Sequence, residues 1–343
     1  MFDMRRREFI TLLGGAAAWP IAGWAQQAQK LPVIGFLVAS PLPRIKARVE
    51  AFRHGLRDLG YIEQRDVIFE WRSAEGQLDR LPALARELVR LKVDVIVAAG
   101  GEPPALASKH ATQSIPVVLV NVGDPVETGL VSSLRRPGGN ITGLSTVAGP
   151  EIYGKKLALL KEAIPSLSHV AFLSNPNNSF SAVAEKGTKE AEGVLGITLH
   201  TVEAPNPDQL ERAVAEAAGV RAGAMLVVQD AMFFTHRERL ADLAIRNRLP
   251  TMHGNLEHVE AGGLMAYTSN RLYLFRRAAA YVDRILKGAS PADLPVEQPT
   301  KFELAINLKT ARALGLEIPP TLLARADMRV EAEMLRLGPI RRS

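Results

Sequence analysis

After Lys30 the sequence repeats one pattern: a short, largely β-branched apolar run, then a longer stretch whose apolar residues recur at helical spacing. That alternation predicts an α/β fold of parallel sheets with crossover helices, because a strand covered by helices on both faces has no polar side to show. Val33 to Val38 is such a run, and Val49, Phe52, Leu56 and Leu59 come after it three or four residues apart. The pattern recurs as Val67 to Trp71 before Leu78 to Leu91, and as Val93 to Ala98 before Pro103 to Thr112. It recurs once more as Ile115 to Val120 before the turn Gly123-Asp124-Pro125. These four strands are expected to form one sheet.

Turn chemistry at Arg136-Pro137-Gly138-Gly139-Asn140 interrupts the series, and Ile141 to Leu144 then leads into a second one, so a domain change is expected near residue 145. The second series has strands at His169 to Leu173, Ile197 to Val202, Ala224 to Val228, Leu249 to Met252 and Gly263 to Tyr267. Helical patterns separate the first four, over Ser179 to Leu195, Pro207 to Ala218 and Phe233 to Asn247. A long amphipathic helix is expected from Leu272 to Leu286, with Leu272, Phe275, Ala279, Val282 and Leu286 as its buried stripe. Val296 to Ile306 and Lys309 to Leu314 are too short for a third domain and should return to the existing two. The expected lobes are residues 31–145 plus about 268–295, and 146–267 plus about 296–330, with a frayed charged tail at 331–343.

Residues 1–25 read as an address rather than as part of the fold. Arg5, Arg6 and Arg7 precede a weakly apolar stretch to Ala22, and Gly23-Trp24-Ala25 offers a small-x-small cleavage site, which puts the mature start at Gln26. Arg6-Arg7 before Glu8-Phe9-Ile10 fits the twin-arginine export pattern, with the general secretory route left open. The apolar stretch is well short of the roughly 20 residues needed to span a bilayer. Export to the periplasm is therefore expected.

The chain has no cysteine, which removes disulfides, thiolate metal sites and cysteine nucleophiles. Its net charge of +6 is dispersed along the chain, giving no footprint for nucleic acid. The seven histidines form no metal-ligand spacing, and His253, Glu257 and His258 do not share one helical face. Nucleophile-elbow, phosphate-loop and dinucleotide glycine motifs are absent, so no cofactor or metal is called for.

The loops at the strand ends are more informative, because open parallel sheets bind ligands outside the carboxyl ends of their strands. Those loops carry Ser40, Gly100-Gly101-Glu102 and Gly123-Asp124-Pro125 in the first half. In the second they carry Asn175 and Asn177, Gln229-Asp230, and Gly254-Asn255. Ser40 and the Gly100 and Gly101 amides stand ahead of helices and could donate to a carboxylate. Glu102, Asp124 and Asp230 could accept from an ammonium or hydroxyl, Asn175, Asn177 and Asn255 could do either, and Tyr267 could stack on an apolar ligand. For each polar residue the competing use is as a helix cap or turn former.

From Leu31 to Asp327 the chain resembles the exported ABC-transporter substrate-binding family that includes tryptophan and other aromatic amino-acid binders. The resemblance rests on Gly60-Tyr61-Ile62-Glu63, Arg80-Leu81-Pro82-Ala83-Leu84-Ala85, Gly123-Asp124-Pro125-Val126, Arg136-Pro137-Gly138-Gly139-Asn140-Ile141-Thr142-Gly143 and Asn175-Pro176-Asn177-Asn178. Ala261-Gly262-Gly263-Leu264-Met265 and the run from Asp293 to Ala311 extend it. It implies a type I periplasmic-binding-protein fold: two Rossmann-like lobes with three chain crossings, closing on a small ligand and presenting it to a membrane permease, without catalysis. Carried across, its cleft positions fall on Ser40, Gly101, Asp124, Asn175, Asp230 and the neighbourhood of Tyr267. The chain departs from the family at Asp230-Ala231, Gly101-Glu102-Pro103 and Ser179, and these departures bear on ligand identity. A monomer is expected. Delivery to a sensory receptor, or an enzyme using the same cleft, are the alternatives; a DNA-reading regulator would need a helix-turn-helix for which the residues before Val33 leave no room.

Overall fold

The computed structural model describes residues 31–331 apart from Ala148 and Pro150. The export segment at 1–25 and nearly all of the tail at 331–343 lie outside the described residues. From Pro32 on, the chain forms one unit built on two sheets.

The first sheet holds β1 (Val33–Val38), β2 (Ile68–Ser73), β3 (Val95–Ala99), β4 (Val117–Val122) and β5 (Ile141–Ser145) in the order β2-β1-β3-β4-β5, all parallel. Strands β3, β4 and β5 are buried along their whole length, as continuous apolar runs require, whereas the edge strand β2 is mostly half-exposed. Ile141 to Leu144 belongs to this sheet as its fifth strand and does not open the second series. The cause is local: the Asn140 side chain donates to the Thr112 and Ile115 carbonyls, which ties the turn to the start of β4 and sets Ile141 beside Val117.

The second sheet holds β6 (His169–Ser174), β7 (Thr198–Glu203), β8 (Ala224–Val227), β9 (Thr251–His253), β10 (Met265–Ser269), β11 (Phe302–Asn307) and β12 (Met328–Val330). Its order is β12-β11-β10-β9-β8-β6-β7, parallel except where β10 meets β11. Two predicted helices are broken: Ser179 to Leu195 becomes Phe180–Lys189 and Glu192–Leu195, and Phe233 to Asn247 becomes Ala231–Thr235 and Arg237–Arg246.

The chain passes between the sheets three times. It leaves the first after β5, returns after β10 as the helix Arg271–Leu286, and leaves again before β11. That helix packs on the first sheet and on the helix Lys46–Asp58, burying Leu274, Phe275, Ala278, Ala279, Val282 and Ile285. Leu272 is not on the buried stripe. The Asn270 side chain caps the helix by accepting from the Tyr273 amide, and this phase turns Leu272 and Tyr273 to solvent. Before the third passage Glu297 bridges Leu144, tying the returning segment to β5.

Candidate functional site

The carboxyl ends of strands from the two sheets face each other across a polar cavity. After β1 comes Ser40; after β3, Gly100 and Gly101, both at positive φ, turn the chain into the helix Glu102–Ala111. The second sheet contributes Gln229 and Asp230 after β8 and Asn255 after β9. Arg48, from the first turn of the helix Lys46–Asp58, and Asn121, near the end of β4, complete the polar wall. Val38, Ile45, Ala99, Phe234 and Phe275 form the apolar wall. The rims stand close together in this structure, leaving a cavity with a free volume of about 20 Å³ between them.

Contacts across the cavity hold the two rims together. Arg48 of the first sheet's layer is 4 % exposed and donates through Nε to Glu257 Oε1 of the second at 3.0 Å, while its guanidinium lies 4.4 Å from the Phe234 ring centroid. Arg44 pairs with Glu238 at the exposed edge of the same face. Gln229 Nε2 reaches the Asn121 carbonyl, and Thr235 Oγ1 reaches Ser40 Oγ, both at 3.5 Å. Gly123 lies directly against the ring of Phe180 at the start of the helix Phe180–Lys189.

Behind Gln229 and Asn255 stands Arg271, buried at the start of its helix. Its guanidinium donates to Gln229 Oε1 at 2.7 Å, the Gly254 carbonyl at 2.8 Å, Ser269 Oγ at 3.0 Å and Asn255 Oδ1 at 3.3 Å. All four acceptors are neutral. Burial, and then the nearby Arg48 charge, draw its pKa down to about 9, so it stays cationic at neutral pH. An electropositive end of the site results, suited to a carboxylate.

Asp230 contributes an acidic group to the cavity lining and is held in place. One carboxylate oxygen caps the helix Ala231–Thr235 through the Met232 and Phe233 amides, and the other accepts from Asn175 and Asn178 at 3.1 Å each. Burial raises its pKa, and these four donors oppose the rise. Next to the cavity, Glu102 is buried and accepts from the Gly123 amide; burial lifts its pKa to about 7. Buried Lys156, beside the Tyr153 ring, is brought down to about 7 by burial and then by the Arg271 charge.

The structure thus brings together Ser40, Gly100, Gly101, Asp230 and Asn255 on one cavity, while Glu102, the buried first residue of the next helix, is outside its lining. Asn175 supports Asp230 and, with Asn177, lines a larger neighbouring cleft together with Gln77, His110 and His236. Asp124 lies outside the cavity lining: its carboxylate accepts from the Val126 and Glu127 amides, the turn-forming use of an aspartate. Tyr267 lies outside it too, stacked on Phe302 across the β10–β11 pair with centroids 5.4 Å apart. Sequence reasoning missed Arg48, Asn121, Arg271, Phe234 and Phe275. Three of these carried a signal. Arg48 interrupts the apolar stripe four residues before Phe52, Asn121 interrupts the apolar run of β4, and Arg271 puts a cation in a first helical turn, where the dipole disfavours it.

Among the described residues no group of three or more metal-ligating side chains exists, and no helix is long and apolar enough to cross a membrane. The chain is similar to the tyrosine-binding protein of Clostridioides difficile (strain R20291), with 24% identity over 275 residues, 80% of this chain and 78% of that protein. Among solved structures it is similar to a conserved domain protein from Vibrio cholerae, at 27% identity and a TM-score of 0.82, and to an ABC domain in complex with L-Trp from Streptococcus pneumonia, at 25% identity and a TM-score of 0.82. Each alignment covers 88% of this chain and 100% of the other. The architecture is that of type I periplasmic binding proteins. Residues 34–330 match the model of the ABC transporter substrate binding protein family, and the chain belongs to that family.

Proposed function

We propose that this chain captures an amino acid, aromatic in its side chain, between its two lobes and hands it unaltered to a membrane permease for import. The observation that carries the reading is the charge layout of the cavity: Arg48 on its wall with Arg271 behind Gln229 and Asn255, Asp230 at the rim, and an apolar wall of Ile45, Phe234 and Phe275. A zwitterion with an apolar side chain matches all three. The tyrosine-binding relative and the L-Trp complex support the choice of ligand class. Capture occurs by hinge closure: a solute bridging both rims selects the arrangement in which Arg48 meets Glu257 and Gly123 meets Phe180. The leader at residues 1–25, cut near Ala25, would deliver the protein to the periplasm.

A thermal-shift panel of amino acids and aromatic carboxylates tests the reading, since a solute bound only by the folded chain stabilises it according to its concentration over Kd. A rise in melting temperature with L-tyrosine or L-tryptophan, and none with acidic or basic amino acids, is expected. A panel with no response from any aromatic amino acid would overturn the ligand class, and a solute recovered chemically changed would overturn the binding role.

A further inference from the structure

We infer that Asn121 reads the α-ammonium group of the solute and so separates amino acids from their deaminated counterparts; the inference rests on the function proposed above. Asn121 is the one polar residue in the strand Val117–Val122. It sits where the pairing with Ile141–Ser145 shifts register, and its backbone is left-handed, with φ of 68°. Asparagine tolerates that conformation far better than the β-branched residues around it. The shift turns the side chain off the regular pleat, and the residue lines the cavity while 4 % exposed.

Its side-chain oxygen is buried with no hydrogen-bond partner among the described residues. The neighbouring amides are spoken for: Gln229 bonds the Asn121 backbone carbonyl and receives Arg271, and Asn255 receives Arg48 and Arg271. An acceptor left open in a closing cleft opposes closure until a donor arrives. In the function proposed above the solute's carboxylate lies toward the arginines, so the donor the solute can add is its ammonium. Asp230, on the same cavity, supplies the counter-charge.

The test measures Kd calorimetrically for L-tyrosine and 3-(4-hydroxyphenyl)propanoate, and for L-tryptophan and 3-(indol-3-yl)propanoate. It uses the wild type, Asn121→Gly and Asn121→Asp, both substitutions being compatible with positive φ. The wild type should prefer each amino acid by roughly tenfold or more, as expected for a buried acceptor left unpaired by the deaminated solute. Asn121→Gly should bring each ratio to within about twofold, and Asn121→Asp should keep the preference. An unchanged ratio in Asn121→Gly overturns the inference alone. So does loss of both solutes in Asn121→Asp, which would show the amide nitrogen serving the carboxylate instead. A wild type that binds neither member of either pair overturns the proposed ligand class and the inference with it.

Discussion

Gly123 offers a substitution that should act on one conformation of the protein and leave the other alone. A Cβ added there would stand 2.2 Å from Phe180 Cε2 and 2.3 Å from Cζ, far inside van der Waals contact. The ring cannot retreat easily, being 1 % exposed and packed against Tyr153 with centroids 6.0 Å apart. Gly123 is not among the residues at positive φ, so alanine costs little within the first lobe itself. Since Gly123 comes after a strand of the first sheet and Phe180 belongs to the core of the second, the clash exists only while the lobes meet. Overpacking of this kind costs about 1 to 3 kcal/mol, so Gly123→Ala should weaken solute binding by about 5- to 150-fold. The melting temperature of the solute-free protein should stay within about 2 °C of wild type, because an open molecule does not make the contact. Calorimetric titration and thermal unfolding without solute check the two halves. Unchanged affinity together with a solute-free melting temperature lowered by several degrees would refute the reasoning, since the contact would then be permanent packing and not part of closure.

Burial raises the Glu102 carboxyl from 4.5 to about 7, so between those values the folded chain keeps a proton that the unfolded chain has lost, and stability falls as pH rises. Glu102→Gln removes that slope; relative to wild type, both saturated with solute, it should gain roughly 1 to 3 kcal/mol between pH 4.5 and pH 7.5 in denaturant titrations, and a constant difference would count against it. Arg271→Lys keeps the charge but not the planar fork that serves four acceptors, and should cost about 2 to 4 kcal/mol of stability by chemical denaturation; a loss below about 0.5 kcal/mol would contradict the network. Asp124→Ala, removing a turn-forming carboxylate outside the cavity, should leave Kd within about twofold while costing about 0.5 to 1 kcal/mol of stability; a large loss of affinity would place Asp124 in the site after all.

The sheets were legible because burial on both faces leaves an unmistakable apolar run, and every strand from β1 to β10 lies within a few residues of its expected place. Ile141–Ser145 was legible as a strand but not as to sheet: membership depends on Asn140 reaching back to Thr112 and Ile115, a contact 25 residues or more away in the chain. The strand-end rule found Ser40, Gly100, Gly101, Asp230 and Asn255 because those residues stand immediately after strands. It also selected Asp124, whose identical position serves a turn, and Tyr267, whose ring faces Phe302; sequence cannot tell a side chain that caps its own backbone from one that faces a gap. Arg48 and Arg271 escaped because both lie on helices, and only packing against the opposite lobe makes a buried arginine out of what reads as a solvated one.

Those two arginines also explain why a cleft so polar can close at all. Bringing the rims together removes Arg48, Arg271, Asp230 and Glu102 from water, and each buried charge opposes closure unless it is paired. The protein pairs Arg48 with Glu257, saturates Asp230 with four donors, and lets burial hold Glu102 largely protonated below pH 7. Arg271 is met only by neutral acceptors, and on the cavity wall the Asn121 side-chain oxygen has no partner among the described residues. The unfilled demand is therefore one anion and one donor, and a single zwitterion meets both. A solute with only the anion leaves Asn121 unpaired, and one with only the cation leaves Arg271 uncompensated, so closure itself becomes the step at which the solute is chosen.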